Sequence, residues 1–374
     1  MKILALPNTF KGFLSARQAA QICKRTLARS RTVRAYPITD GGDGFMDFFK
    51  TLDPRARVIS LTAKNAFLKN KRTSFLLLSD KKTAVIETAQ ICGLGHAKKS
   101  ELNPLGASSY GVGQVLDAAV KRGAKTIYVG LGGVACNDGG AGMAQACGAK
   151  LQDKNGREIF PGAKALLQLH TLDLTSLKKQ YKNIKIIGIA DVTNPLLGPL
   201  GSARVFGPQK GATPAQVKTL ERALAVWARA LTKEAGIRIS RVKSTGAAGA
   251  IAAGLYGCFG AKLCLGAEEL FKKAKLEKQM KWADLIITTE GKLDTQTFYG
   301  KAPLTVLMLA RKYKKPVLFI CGQVDEKIFR RKNLLPTQIV TLLDFAKNEN
   351  DAKKHAAKYL CRVLKYTIPL GQCE

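Results

Sequence analysis

The stretch Asp284-Leu-Ile-Ile-Thr-Thr-Glu-Gly-Lys-Leu-Asp-Thr-Gln-Thr-Phe-Tyr-Gly-Lys-Ala-Pro303 decides how the chain is read. Its apolar run, Leu285 to Ile287, reads as a buried parallel strand that stops abruptly. Glu290, Lys292, Asp294, Gln296 and Lys301 follow, with Gly291 and Gly300 among them. That composition predicts a loop at the C-terminal end of a strand, where open α/β sheets bind ligands. The alternative is a solvated connection between strand and helix. The two readings stand level on this stretch alone, but the same design recurs along the chain.

Strands predicted at residues 2–6, 33–38, 126–130, 184–190 and 317–321 each run into a polar or glycine-rich segment. The first meets Pro7-Asn-Thr-Phe-Lys-Gly12, then Ser15 and Gln18 at capping-box spacing. Lys11 therefore sits beside a helix N-terminus, where anions are stabilised. The second meets Thr39-Asp-Gly-Gly-Asp-Gly44, and the fourth meets Asp191-Val-Thr-Asn-Pro-Leu-Leu-Gly198. The third empties into Gly132-Gly-Val-Ala-Cys-Asn-Asp-Gly-Gly-Ala-Gly142. It matches neither G-x-G-x-x-G nor a Walker A pattern. Its glycines would let backbone approach a ligand, or else pack helices tightly. Residues 57–62, 73–79 and 83–87 read as an antiparallel meander, followed by a helix over about 109–121. Residues 214–235 read as an amphipathic helix and Ser244 to Gly254 as a small-residue helix. A meander, a helix and a returning strand do not belong to one doubly wound sheet, so a second α/β domain is expected.

The totals bound the function. A chain of 374 residues, 46% hydrophobic, can hold two domains. No apolar run reaches the roughly 20 residues a membrane helix needs. The start, Met1 to Asn8, reads as a strand rather than a signal peptide. Nine cysteines stand singly, without a C-x-x-C pair, which fits buried thiols in a reducing cytoplasm. His96, His170 and His355 lie in unrelated contexts, so histidine-based hydrolysis or metal ligation is set aside. The net charge of +34 admits nucleic acid as a partner, but the basic residues lie in scattered doublets such as Lys98-Lys99. They read as a basic surface that draws in small anions.

Against only 27 acids, Asp40, Asp43, Asp138, Asp191, Glu290 and Asp294 all follow predicted strands. Lys11, Lys210 and Lys301 sit in loops beside glycines. Scarce carboxylates with lysines and glycines fit a site for Mg²⁺ and polyphosphate, because Mg²⁺ takes one or two carboxylates and completes its shell with water and phosphate. Phosphoryl transfer asks a protein mainly for positioning and charge.

Eight collinear motifs carry a resemblance: Leu6–Gly12, Pro37–Gly44, Glu87–Gln90, Ser109–Gly113, Asn137–Gly142, Asp191–Gly198, Phe206–Gly211 and Glu290–Thr297. Together they resemble the bacterial glycerate kinase type 1 family, in order over most of the chain. The resemblance implies ATP-dependent phosphorylation of D-glycerate, with 2-phosphoglycerate favoured over 3-phosphoglycerate. It also implies a flavodoxin-like (Rossmann-like) domain interrupted by an α/β domain of restriction-endonuclease-like topology. We place the first at 1–56 and 283–374, the insertion at 57–282, and the active site in the cleft between them. ATP and Mg²⁺ are the expected cofactors, and a homodimer in the cytoplasm is allowed for. Asp191 and Asp294 are the expected functional carboxylates, with Glu290 as a further Mg²⁺ candidate. Lys11, Lys210 and Lys301 are expected at phosphate or the glycerate carboxylate, with Asn8 and Gln296. Gly132, Gly139 and Gly140 are expected to close on the nucleotide.

The chain departs from the family pattern at four places. Val134 and Cys136 replace the usual Ser and Thr, Thr289 replaces Gly, and Asn8 stands where Asp is frequent. Two other readings remain: a nucleic-acid-associated basic protein, and a homologue that binds ligand without turnover.

Overall fold

The computed structural model describes residues 1–10, 12–236, 238–294, 302–325, 328 and 335–368, without the side chains of His96 and Ala267. Its strands in chain order are β1 (Lys2–Pro7), β2 (Thr32–Ala35), β3 (Arg57–Lys64), β4 (Asn70–Leu77), β5 (Thr83–Glu87), β6 (Thr126–Leu131), β7 (Lys150–Gln152), β8 (Thr171–Asp173), β9 (Lys185–Ala190), β10 (Lys262–Leu265), β11 (Leu285–Leu293), β12 (Val317–Val324) and β13 (Gln338–Thr341). The chain divides into two compact units. One comprises 1–40, 47–52 and 266–374, the other 41–46 and 53–265.

The first unit holds a parallel sheet in the order β13-β12-β11-β1-β2. β1 and β11 are interior strands; Ile3 to Pro7 of β1 and Leu285 to Ile287 of β11 are apolar, as strands covered on both faces must be. One face packs on the helices Ala16–Leu27 and Ala356–Thr367 through Cys23, Leu27, Leu360 and Val363. Ser15 and Gln18 form the expected capping box. Two predicted boundaries move. β2 ends at Ala35 rather than residue 38: Tyr36 N and Ile38 N still donate to the Ala5 and Pro7 carbonyls at 2.9 and 2.8 Å, but Pro7 has no N–H to return a bond to Tyr36. β11 does not stop at Ile287. It runs through Glu290 and Lys292 to Leu293, in register with Cys321, Gln323 and Val324 of β12, and Leu293 is fully buried. That apolar anchor after the polar residues keeps the strand in the sheet.

The second unit holds a six-stranded sheet in the order β10-β9-β6-β5-β4-β3. β3, β4 and β5 form the expected antiparallel meander, and β5, β6, β9 and β10 run parallel. β7 and β8 make a separate antiparallel pair. The helix Tyr110–Lys121 lies where the sequence placed it. Its Gly111 and Gly113 allow close packing: a Cβ would meet the Lys64 carbonyl oxygen at 1.7 Å or the Met143 carbonyl oxygen at 2.3 Å. The helix Pro214–Ala235 starts at a Thr213–Gln216 capping box and ends on Gly236 at positive φ. It presses Leu220, Leu224, Trp227 and Leu231 into the core. Ser244 to Gly254 is not one helix: tight turns run to Ala250 and the helix spans Ile251–Phe259.

Candidate active site

In the first unit, β1 leads to β2 on one side and β11 leads to β12 and β13 on the other. The direction of winding therefore reverses between β1 and β11, where open sheets place ligands. Asn8 and Glu290 lie at this edge, and Asp294 directly follows β11. Asn8 is half-buried; its side-chain oxygen accepts from Thr9 N at 2.8 Å. Thr288 and Thr289, both fully buried, donate through their hydroxyls to the Leu6 and Asn8 carbonyls at 2.8 and 2.7 Å. Glu290 is 7% exposed, whereas Asp294 is half-exposed. Lys11, Gln296 and Lys301 lie outside the described residues.

Beside this edge is an open pocket of about 650 Å³, lined by Lys292, Gln323, Val324, Asp325, Thr341, Leu343 and Asp344. It caps the C-terminal ends of β11, β12 and β13 and is within the size range of small-molecule sites. Of its residues, Lys292 alone drew attention from the sequence as a polar residue after the key strand. Gln323, Asp325 and Asp344 carried no signal beyond their place after strands.

In the second unit, register aligns Glu87 with Gly130 and Leu131 with Ala190, so β5, β6 and β9 end together. Glu87, 4% exposed, accepts from Gly44 N at 3.3 Å and Met46 N at 3.0 Å, which holds the Asp40–Gly44 motif. Gly132 approaches the backbone of Gly42, where a Cβ would meet Gly42 Cα at 2.8 Å. Asp191, partly exposed, is the first residue beyond β9. Its loop is fixed to the turns that follow: Ser244 N donates to the Thr193 carbonyl at 3.2 Å and Gly246 N to the Asn194 carbonyl at 2.9 Å. Those turns hold Ser244, Ala248 and Ala250 at φ of 66°, 53° and 66°. Each such non-glycine residue costs of order 1 kcal/mol or more, and strain of this kind gathers at functional sites.

The glycine-dense loop packs on the same turns, with Gly139 N donating to the Gly249 carbonyl at 3.1 Å. A Cβ on Gly249 would fall 1.9 Å from the Cys136 carbonyl oxygen. Lys210 is not the exposed loop lysine the sequence suggested. It is 3% exposed and donates to the Cys136 carbonyl at 2.6 Å and to Asn137 Oδ1 at 3.0 Å. Burial lowers its pKa to about 8, against the opposing pull of Cys136, Cys92 and Asp138.

Asp138 is wholly buried. Its Oδ2 accepts from Ser108 Oγ, Ser109 N, Ser109 Oγ and Gly142 N at 2.7–3.2 Å. Burial raises its pKa despite these donors. Gly139 and Gly140, both at positive φ, are enclosed by helices. The Gly139 carbonyl accepts from Trp227 Nε1 at 2.8 Å, and Gly140 lies against Gly254. Val134 and Cys136 also face inward, at 3% and 0% exposure. Hydrogen bonding to Cys92 and burial raise the Cys136 thiol well above its usual range.

Among the described residues no group of three or more His, Cys, Asp or Glu side chains could hold a metal ion. Mg²⁺ does not ask for such a cage, since it takes one or two carboxylates and completes its shell with water and phosphate.

These features define an α/β protein of two units, one with a parallel and one with a mixed sheet, whose strand ends carry loops of glycines, carboxylates and lysines. The chain belongs to the glycerate kinase family, whose model matches residues 3–370. It is similar to the glycerate kinase of Bacillus subtilis (strain 168), 35% identical over 370 residues, covering 98% of this chain and 96% of that one. It is 36% identical over 336 residues to the glycerate 2-kinase of Escherichia coli (strain K12), covering 88% and 87%. A solved structure described as glycerate kinase 2 from Salmonella typhimurium LT2 superposes with a TM-score of 0.79 at 32% identity, covering 98% of this chain and 99% of that one. By this membership the chain is an enzyme of the kinase class.

Proposed function

We propose that the chain transfers the γ-phosphoryl group of ATP to D-glycerate, as a member of the type 1 branch, and that 2-phosphoglycerate is the product. The observation that carries this reading is the placing of Asp191 and Asp294 directly after parallel strands β9 and β11, in a chain of the glycerate kinase family. An alcohol is a poor nucleophile at neutral pH and needs an acceptor for its proton as the phosphoryl group arrives. One of the two carboxylates accepts that proton; the other, with Glu290, would hold Mg²⁺. When bound, Mg²⁺ would offset the negative charge of the phosphate groups. Asn8, Gln296, Lys11 and Lys301 are assigned to the anionic groups of the substrates, and Gly132 to close approach of backbone. Small-molecule substrates and a cytoplasmic location fit this reading.

The test is an assay of ADP release with D-glycerate, coupled in parallel to enolase. Enolase consumes 2-phosphoglycerate directly, so an immediate absorbance change identifies that product. ADP release with a signal that appears only after phosphoglycerate mutase is added would assign 3-phosphoglycerate and overturn the regiochemistry. No glycerate-dependent ADP release would overturn the activity.

A further inference from the structure

The Asn137 carboxamide is oriented by its neighbour. The Lys210 ammonium has only donors to offer, so the oxygen of Asn137 must face it, as it does at 3.0 Å. The amide NH₂ then points the other way. Asn137 is 0% exposed, and its Nδ2 has no hydrogen-bond acceptor among the described residues. A buried donor left unpaired is costly, so such a group ordinarily serves a partner. Lys210 adds a second sign: it is a buried cation with no carboxylate in ion-pair contact among the described residues. An unpaired NH₂ and a buried cation without a direct ion pair among the described residues meet at the most glycine-dense loop. The turns that press on this loop, Ser244 to Ala250, hold three non-glycine residues at positive φ and are tied to the loop of Asp191.

We propose that Asn137 Nδ2 donates to an anionic oxygen of a bound substrate, with Lys210 as the positioning residue that fixes the carboxamide and supplies positive charge behind it. The oxygen belongs to the glycerate carboxylate or to a nucleotide phosphate, which share this chemistry. The proposal rests on the glycerate kinase reading for the identity of the two substrates.

Asn137→Asp tests it. The substitution is nearly isosteric, keeps an acceptor for Lys210, and replaces the NH₂ by a charge that repels anions. The melting temperature should hold or rise, since Lys210 gains an ion pair, while affinity for one substrate falls at least tenfold. A rise in KM for D-glycerate alone assigns the carboxylate; a rise for ATP alone assigns phosphate. Lys210→Met should weaken the same substrate, and the double variant should lose less than the two singles combined, because both act through one amide. Titration calorimetry with D-glycerate and with ATP separates this proposal from the activity. Wild-type protein that binds either one without turnover sinks the kinase reading, yet leaves the Asn137 affinity change to be measured. If Asn137→Asp fails to fold, Asn137→Ala is read in the same way. Folded variants that bind both substrates within twofold of wild type would overturn the proposal and leave ordered water as the acceptor.

Discussion

Thr289 Oγ1 donates to the Asn8 carbonyl at 2.7 Å, and the Asn8 amide donates back to the Thr289 carbonyl at 3.2 Å. These are two of the positions at which the chain departs from the usual family pattern, and they are directly bonded across the centre of the sheet. The threonine hydroxyl therefore extends the β1–β11 ladder by one side-chain bond at the edge where the winding reverses.

Thr289→Gly should accordingly lose that bond and gain backbone freedom in the unfolded chain. The cost is expected at about 1–2 kcal/mol, the sum of a typical net hydrogen bond and the glycine entropy penalty. Urea denaturation checks it, and a variant as stable as wild type would show that the hydroxyl bond contributes nothing.

Asp138 offers a sharper contrast. Four donors converge on its Oδ2, while among the described residues Oδ1 accepts only from Gly140 N at 3.3 Å. Asn can place its oxygen at the crowded position, so Asp138→Asn should cost about 1–3 kcal/mol. Asp138→Ala strands every donor and should cost several kcal/mol more or prevent folding. Equal losses of stability in urea denaturation from Asn and Ala would show that the four donors at Oδ2 do not set the cost.

Lys210 gives a pH signature. Its folded pKa is about 8 against the ordinary 10.5, because burial disfavours its charge. Between these values the unfolded chain holds a proton that the folded chain has released. Stability from this group therefore rises with pH across that window and is lost again as pH falls through about 8. The span corresponds to about 3 kcal/mol at most. Facing Lys210 are Cys136, Cys92 and Asp138, and the Cys136 thiol is pushed well above its usual range. Denaturation of wild type and Lys210→Met from about pH 7 to 10 should give curves that diverge in favour of wild type. Parallel curves would mean that Lys210 keeps an ordinary pKa.

For the chemistry itself, Asp191→Asn and Asp294→Asn keep shape and remove charge. Each should lower kcat by about 10²–10⁴, the range of a positioned acid–base group. Near wild-type kcat in both would move the reacting centre to Asp40 or Asp43, since Asp138 is enclosed.

Much of the architecture was readable because apolar runs such as Thr126–Leu131 and Val317–Cys321 fill buried parallel strands, and capping residues mark helix starts. The end of β11 was not, because Glu290 and Lys292 are strand residues only by virtue of their partners in β12. The pair β7–β8 escaped notice since three residues per strand leave no period to detect. At the site, Asp191 and Asp294 do follow strands as the sequence suggested. The burial of Lys210 was invisible: nothing in Pro208-Gln-Lys-Gly211 announces that a short turn directs the lysine inward. Ser244–Gly254 failed for a related reason, as small residues are compatible with helix and with tight turns alike, and here close backbone contact with Cys136 selects the turns.

The central strand β1 is made first and its neighbour β11 lies 282 residues later, as the bond from Lys2 N to Asp284 marks. At ribosomal rates of about 5–20 residues per second, β1 waits on the order of tens of seconds for that partner. Until then an apolar strand, Ile3 to Leu6, has one edge unsatisfied, while the whole of the 53–265 segment has emerged. The nascent chain is therefore expected to depend on chaperones at its N-terminus, and truncation before residue 293 should leave the six-stranded unit folded but the first sheet unformed.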